Sequence, residues 1–271
     1  MPNLSNGKAA SEVPMVRFEH IEKTFNKDTV SETPLFRDFC LDVGEHEFVS
    51  IVGSNGSGKT TLLNLLCGNV RADAGRIFLR ERDITGLREY QRAALIGRVF
   101  QDPAKGTCPE LTILENMSLA DNKGGRFGLG AGVNRKRTDY YRSQLELLHL
   151  GLEDKTGLPV GALSGGQRQA LALLICSLTP IDLLVLDEHT AALDPKASET
   201  VMELTERIVR EKRLTTIMVT HNLRFAVRYG NRILMMHQGR CVIDADEAHK
   251  KDYGIRELLR VFNEISIECG N

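Results

Sequence analysis

The sequence predicts an α/β protein, and three patterns carry that expectation. A compact apolar run at residues 47–52 ends in glycines and leads into a helix-like stretch at 59–66. Two further buried-type strands, at 183–186 and 216–219, alternate with a helix at 196–211 that places Val201, Leu204 and Ile208 on one face. Between these α/β segments, residues from about 102 to 163 carry helix patterns and no convincing strand, so a helical insertion on the core is expected.

Taken in order, residues 1–14 are polar, with Pro, Gly, Ser and Asn, and read as a flexible leader. Residues 16–21 alternate apolar and polar as a strand does. A polar segment at 26–34 separates them from 39–43, which suggests two strands joined by an enlarged loop. Short strands are expected at 76–79 and 96–101, and helices at 112–119 and 136–150. Glycines at 124–132 suggest a flexible connector between those helices. An apolar helix follows at 170–178, and a short one near 225–229. Residues 233–236 and 241–243 flank Gln238-Gly239 and predict a hairpin. The final helix is expected at 255–265. No internal repeat is visible, and residues 15–271 read as a single domain.

Bulk properties exclude several classes. A formal net charge of −1 provides no overall field toward nucleic acid or an anionic membrane, so no nucleic-acid partner is expected. The six cysteines include no CxxC pair and no His at ligand spacing, which argues against a zinc site or a disulfide framework and fits a reducing cytoplasm. No signal peptide is visible, and no window approaches the ~18 continuous apolar residues of a membrane span. A membrane role would have to come through a partner.

Three motifs carry the chemistry. Gly53-Ser54-Asn55-Gly56-Ser57-Gly58-Lys59-Thr60 matches the phosphate-binding loop. Its glycines let backbone N–H groups close on phosphate oxygens, and the following helix start adds partial positive charge. Lys59 can reach the terminal phosphates, and the Thr60 hydroxyl can ligate Mg²⁺. Leu183-Leu184-Val185-Leu186 ends in Asp187 and Glu188, as a central strand would whose tip faces ligand. There Asp187 would serve Mg²⁺ through its water shell, and Glu188 would polarise an attacking water. Third, Ser164, Gly165, Gly166 and Gln167 open an apolar helix and make a second anion-binding terminus. A second such terminus is unexpected unless the nucleotide of another subunit docks on it.

Together these motifs resemble the nucleotide-binding subunits of ABC transporters, over nearly the whole chain from Val16 onward. The resemblance implies a phosphate-loop ATPase core with an antiparallel β subdomain and an inserted helical subdomain. ATP and Mg²⁺ are the implied cofactors. Residues 53–60 with Thr61 would bind the phosphates, and Thr60, Gln101 and Asp187 the metal. Gln101, after Val99-Phe100, matches the glutamine that contacts Mg²⁺ and water and senses the membrane partner. Asp194, in Ala192-Leu193-Asp194, matches the loop that crosses a dimer interface. His221 matches the histidine at the γ-phosphate, so Glu188, His221, Lys59 and Gln101 are the implied catalytic set. Phe25 matches the aromatic residue that stacks on adenine, with plain packing as its alternative. His189 departs from the family, many of whose members place proline there.

A narrower resemblance rests on residues 97–103, on 187–194 and on His221-Asn222 with residues 228–231. They are similar to an importer subgroup found with binding proteins for tryptophan, tyrosine or related solutes. Permease subunits, a second copy of the chain and an extracytoplasmic solute-binding protein are the implied partners. The cytoplasmic membrane face is the implied location. The competing expectation is a soluble ABC-type ATPase, such as one serving metal-cluster assembly.

Overall fold

The computed structural model describes residues 13–123, 125 and 132–268. Most of the expected leader and of the 124–132 connector lies outside the described residues. The strands are β1 (Val16–Phe25), β2 (Thr33–Val43), β3 (Phe48–Gly53), β4 (Ala74–Leu79), β5 (Arg82–Asp83), β6 (Ile96–Val99), β7 (Leu183–Asp187), β8 (Thr215–Val219), β9 (Arg232–His237) and β10 (Arg240–Ala245). The helices are α1 (Lys59–Cys67), α2 (Glu89–Arg92), α3 (Ile113–Asp121), α4 (Thr138–Glu146), α5 (Gly165–Cys176), α6 (Pro195–Glu211), α7 (Leu223–Arg228) and α8 (Ile255–Glu268).

Two sheets result. One has six strands in the order β10-β9-β3-β8-β7-β6, parallel except for the β9–β10 hairpin. The other is antiparallel, in the order β2-β1-β4-β5. Period-two alternation explains how the parallel sheet divides its side chains. Leu184 and Leu186 enter the core beneath α3, α4, α5 and α6, whereas Leu183 and Val185 enter the core shared with α1 and the antiparallel sheet. A third, smaller cluster joins Val52, Ile233 and Met235 to Ala226 of α7 and Leu258 of α8.

Local chemistry fixes the helix starts. Asp194 accepts from Ala197 N at 3.0 Å ahead of Pro195, and Asn222 accepts from Arg224 N at 3.0 Å. Thr112 and Glu115 exchange backbone and side-chain bonds as a capping box on α3. Arg92 closes the other end of α1, its Nη1 donating to the Leu65 and Leu66 carbonyls at 2.6 and 2.9 Å. Burial pushes the pKa of this guanidinium down.

Several elements differ in extent from the sequence expectation. Strand β6 stops at Val99 because Asp102 caps a 3₁₀ turn at Pro103–Lys105, accepting from Ala104 N at 3.0 Å. Helix α4 ends at Glu146, although the apolar pattern continues to 150. Leu148 and Leu152 remain buried from turns in which His149 and Gly151 take positive φ values of 53° and 65°, so the chain cannot continue the helix there. Both β5 and α2 are too short to leave a periodic signal. Within 102–163 the described residues form α3, α4 and 3₁₀ turns, with one isolated bridge between Thr112 and Pro159.

Candidate nucleotide-binding site

Strand β3 runs into a loop whose glycines are dictated by close neighbours. A Cβ on Gly53, at φ 148°, would stand 2.1 Å from the Met236 carbonyl oxygen. At Gly58, φ 107°, it would meet the Phe36 ring at 3.0 Å. The loop folds over Lys59, whose ammonium donates to the Gly53 and Ser54 carbonyls, each at 2.8 Å. Lys59 is 5% exposed; burial pushes its pKa down, and Glu188 partly opposes that shift. A desolvated cation at the head of α1 is an electrostatic sink for phosphate.

Two of the cavities beside this loop gather the residues of the sequence motifs. The first, of about 310 Å³, is lined by Phe25, residues 55–61, Glu188 and His221. Phe25 therefore reaches the phosphate loop from the end of β1, and Lys23 Nζ lies 5.4 Å from its ring centroid. The second, of about 730 Å³, is lined by Thr60, Arg98, Gln101, Gly165, Asp187 and Glu188 among others. Thr60, Gln101 and Asp187 face it with oxygen donors, a set that suits a hard divalent cation such as Mg²⁺ better than a thiophilic metal. Ser164, Gly166, Gln167 and Asp194 line neither cavity.

Glu188 sits immediately beyond β7 with a positive φ of 49°, a conformation that costs a non-glycine residue about 1–3 kcal/mol. Its amide donates to the Val219 carbonyl at 3.0 Å, which ties the strained turn to β8. Its carboxylate oxygen Oε1 lies 2.7 Å from His221 Nε2. His189, next in sequence, turns away from the cavities. It is 2% exposed and its Nε2 meets Thr205 Oγ1 at 3.1 Å. Burial lowers its pKa to about 4.

The helix α5 begins at Ser164, whose Oγ accepts from Gln167 N at 3.3 Å while Ser164 N donates to Gln167 Oε1. Ser164 is exposed. Its glycines have a packing reason within the chain: a Cβ on Gly165 would meet Leu193 at 3.2 Å, and one on Gly166 would meet Ala197 at 3.1 Å. The segment that ends in Asp194 is thus seated on the start of α5.

Some features had no motif to announce them. Gln169 of α5 is fully buried and donates to the Phe100 carbonyl at 2.9 Å, beside Gln101. Arg98 joins Asp187 to the end of α1. Antiparallel pairing gathers His20, Asp38 and Cys40 within 4.8 Å at the surface, with His20 Nδ1 2.6 Å from Asp38 Oδ1. Their separation in sequence hid that cluster, and none of the three lines the nucleotide cavities.

The phosphate loop, the Asp187-Glu188 pair and His221 gather at the C-terminal ends of β3, β7 and β8, an arrangement that defines a phosphate-loop nucleotide hydrolase. More narrowly, the chain belongs to the ABC transporter family and is an ATPase: the family's profile, described as "ABC transporter", matches residues 36–191. A tyrosine transport ATP-binding protein of Clostridioides difficile is 45% identical over 92% of this chain and 98% of its own length. An energy-coupling factor transporter ATP-binding protein, EcfA2 of Geobacillus kaustophilus, is 36% identical over 82% of this chain and 75% of its own. Among solved structures, the ATP-binding cassette MJ0796, as a dimer bound to ADP and Pi, superposes with a TM-score of 0.71 at 28% identity. That match covers 86% of this chain and 99% of the other. No helix among the described residues is long and apolar enough to cross a membrane.

Proposed function

We propose that this ATPase powers the import of a small solute, an aromatic amino acid in the first instance, through partner membrane subunits, by closing two copies of itself around ATP. The observation that carries the two-copy reading is the exposure of Ser164 and Asp194, neither of which lines the phosphate-loop cavity of Lys59, Glu188 and His221. A helix terminus with anion-binding chemistry whose Ser164 faces solvent fits the nucleotide of a facing copy. The dimeric form of MJ0796 supports the same arrangement, and the tyrosine transport relative supports the solute class. The import subunits among the relatives weigh against a soluble ATPase of cluster assembly.

In this reading residues 53–61 and Lys59 bind the phosphates, and Phe25 stacks on the adenine, a contact of roughly 0.5–1.5 kcal/mol beyond its area. Ser164, Gly165, Gly166 and Gln167 of the facing copy close on the γ-phosphate, and Asp194 lies at the seam. Thr60, Gln101 and Asp187 would hold Mg²⁺, which neutralises charge on the transferred phosphoryl group when bound. Glu188 accepts a proton from the attacking water as the bond between the β–γ bridging oxygen and the γ-phosphorus breaks. His221 holds the Glu188 carboxylate and contacts the γ-phosphate. Residues 15–271 act as one ATPase domain, with 102–163 as the helical insertion that meets the permease. The protein works at the cytoplasmic membrane face, beside an extracytoplasmic solute-binding protein.

Size-exclusion chromatography with Mg-ATP tests this reading. Glu188→Gln should bind ATP and run as a dimer, while the additional change Ser164→Arg should return it to monomer with the first half-site still occupied. A Glu188→Gln dimer that survives Ser164→Arg would overturn the sandwich. Tyrosine uptake by proteoliposomes that contain the co-purified membrane subunits tests the solute. Uptake unaffected by ATP removes the transport reading.

A further inference from the structure

Arg98 carries no part of the phosphate-loop or acidic-strand motifs, yet it occupies the centre of their junction. On β6 it shares the parity of Ile96, which faces the core shared with α1. On β7, Asp187 shares the parity of Leu183 and Val185, which face the same way. The parallel register pairs Arg98 with Val185, so the two charged side chains meet on the α1 side of the sheet. Arg98 Nη2 donates to Asp187 Oδ2 at 2.6 Å. Its Nη1 donates to Asn64 Oδ1 at 3.0 Å and to Asn69 Oδ1 at 2.9 Å. Asn64 lies one turn after Thr60 on α1. The guanidinium carbon stands 4.8 Å from the Phe100 ring centroid, and the side chains of Arg98 and Asp187 are 11% and 15% exposed.

This geometry does more than fasten two strands. The planar fork immobilises one carboxylate oxygen of Asp187 and neutralises its charge inside a cavity that also holds Glu188. A free divalent cation that approaches Asp187 meets an adjacent positive charge in a partly desolvated site. A cation that arrives with a polyphosphate brings compensating negative charge. We propose that Arg98 is a positioning residue that makes metal capture at Asp187 conditional on nucleotide, by holding that carboxylate oriented and by repelling free divalent cations. The inference rests on the reading of Asp187 as a metal-holding carboxylate. It differs from a plain structural ion pair, whose loss would lower stability without tightening metal binding.

Mn²⁺ titration of the full chain, followed by electron paramagnetic resonance without nucleotide, reads this directly. Arg98→Met should bind Mn²⁺ at least about tenfold more tightly than the unsubstituted protein. Arg98→Lys, which keeps the charge and loses the fork, should stay close to the unsubstituted affinity. Adding Asp187→Asn to Arg98→Met should abolish the gain. Should Arg98→Met fail to fold, Arg98→Gln carries the same expectation, because it removes the charge and keeps a donor. Unchanged or weaker Mn²⁺ binding in the folded neutral variant overturns the inference, as does a gain that survives Asp187→Asn. The two layers separate in the nucleotide complex. If Asp187→Asn leaves Mn²⁺ affinity there unchanged, the metal reading of Asp187 fails; if it weakens that affinity while Arg98→Met changes nothing without nucleotide, only the role of Arg98 fails.

Discussion

His221 Nε2 stands 2.7 Å from Glu188 Oε1, and the two residues project from the ends of adjacent parallel strands, β7 and β8. The pairing of Asp187 with Val219 sets this meeting, since Glu188 follows one strand by a single residue and His221 follows the other by two. A carboxylate held from one side keeps its other oxygen for water. His221→Ala should therefore lower kcat by about 10²–10³-fold, with a smaller effect on ATP affinity. Phosphate-release assays alongside ATP titration separate the two; an equal loss in both would assign His221 to binding.

Lys59→Ala removes the buried ammonium that the loop carbonyls hold. Loss of a charged hydrogen bond to phosphate, worth about 1.5–3 kcal/mol, should weaken ATP binding by at least about tenfold. Fluorescent-nucleotide titration measures it.

The pH dependence of folding should carry the signature of His189. Its folded pKa is depressed to about 4, from an ordinary 6.5, by burial. The folded protein thus binds fewer protons than the unfolded chain between those values, and stability falls as pH drops through that window. Linkage gives a loss of about 2 kcal/mol between pH 7.5 and pH 5. His189→Gln, which retains a donor toward Thr205, should flatten that part of the profile in urea denaturation at the two pH values. An unchanged slope would assign the acid sensitivity to other groups.

Arg232 binds three elements at once. Its guanidinium meets Asp244 at 2.7 Å, Glu47 at 2.8 Å and the Asp42 carbonyl at 2.7 Å, with only 6% of the side chain exposed. These acceptors hold its pKa above the ordinary arginine value. Arg232→Met should destabilise the fold by roughly 3 kcal/mol, because carboxylates are left without their counter-charge. Thermal unfolding should show the loss, with ATP affinity at the remaining folded sites retained.

The sequence made the phosphate loop, the acidic strand and the capped start of α5 legible because each needs fixed residue types at fixed spacing. The hairpin at Gln238-Gly239 was readable for the same reason. What stayed hidden depends on partners distant in sequence. Arg98 looks like one charge on a short strand until the register with β7 sets it beside Asp187. Gln169 reads as part of a polar helix start, although it is fully buried. Arg232 gave no sign of its network, since Glu47 and Asp42 lie 185 and 190 positions away. The end of α4 leaves no mark in the sequence, because Leu148 and Leu152 continue the apolar spacing from turns. His189 stands in the sequence as a departure from the family, and only the structure gives its place against Thr205.

The amide of Gln169 fastened to the Phe100 carbonyl couples the start of α5 to the segment that carries Gln101. Helix α5 also packs on the turn that follows Gln101, so sideways pressure on either segment must strain that bond and this packing or drag the other along. A displacement of the Gln101 segment would therefore arrive at the exposed Ser164 end of α5, and a movement there would pull back on the same latch.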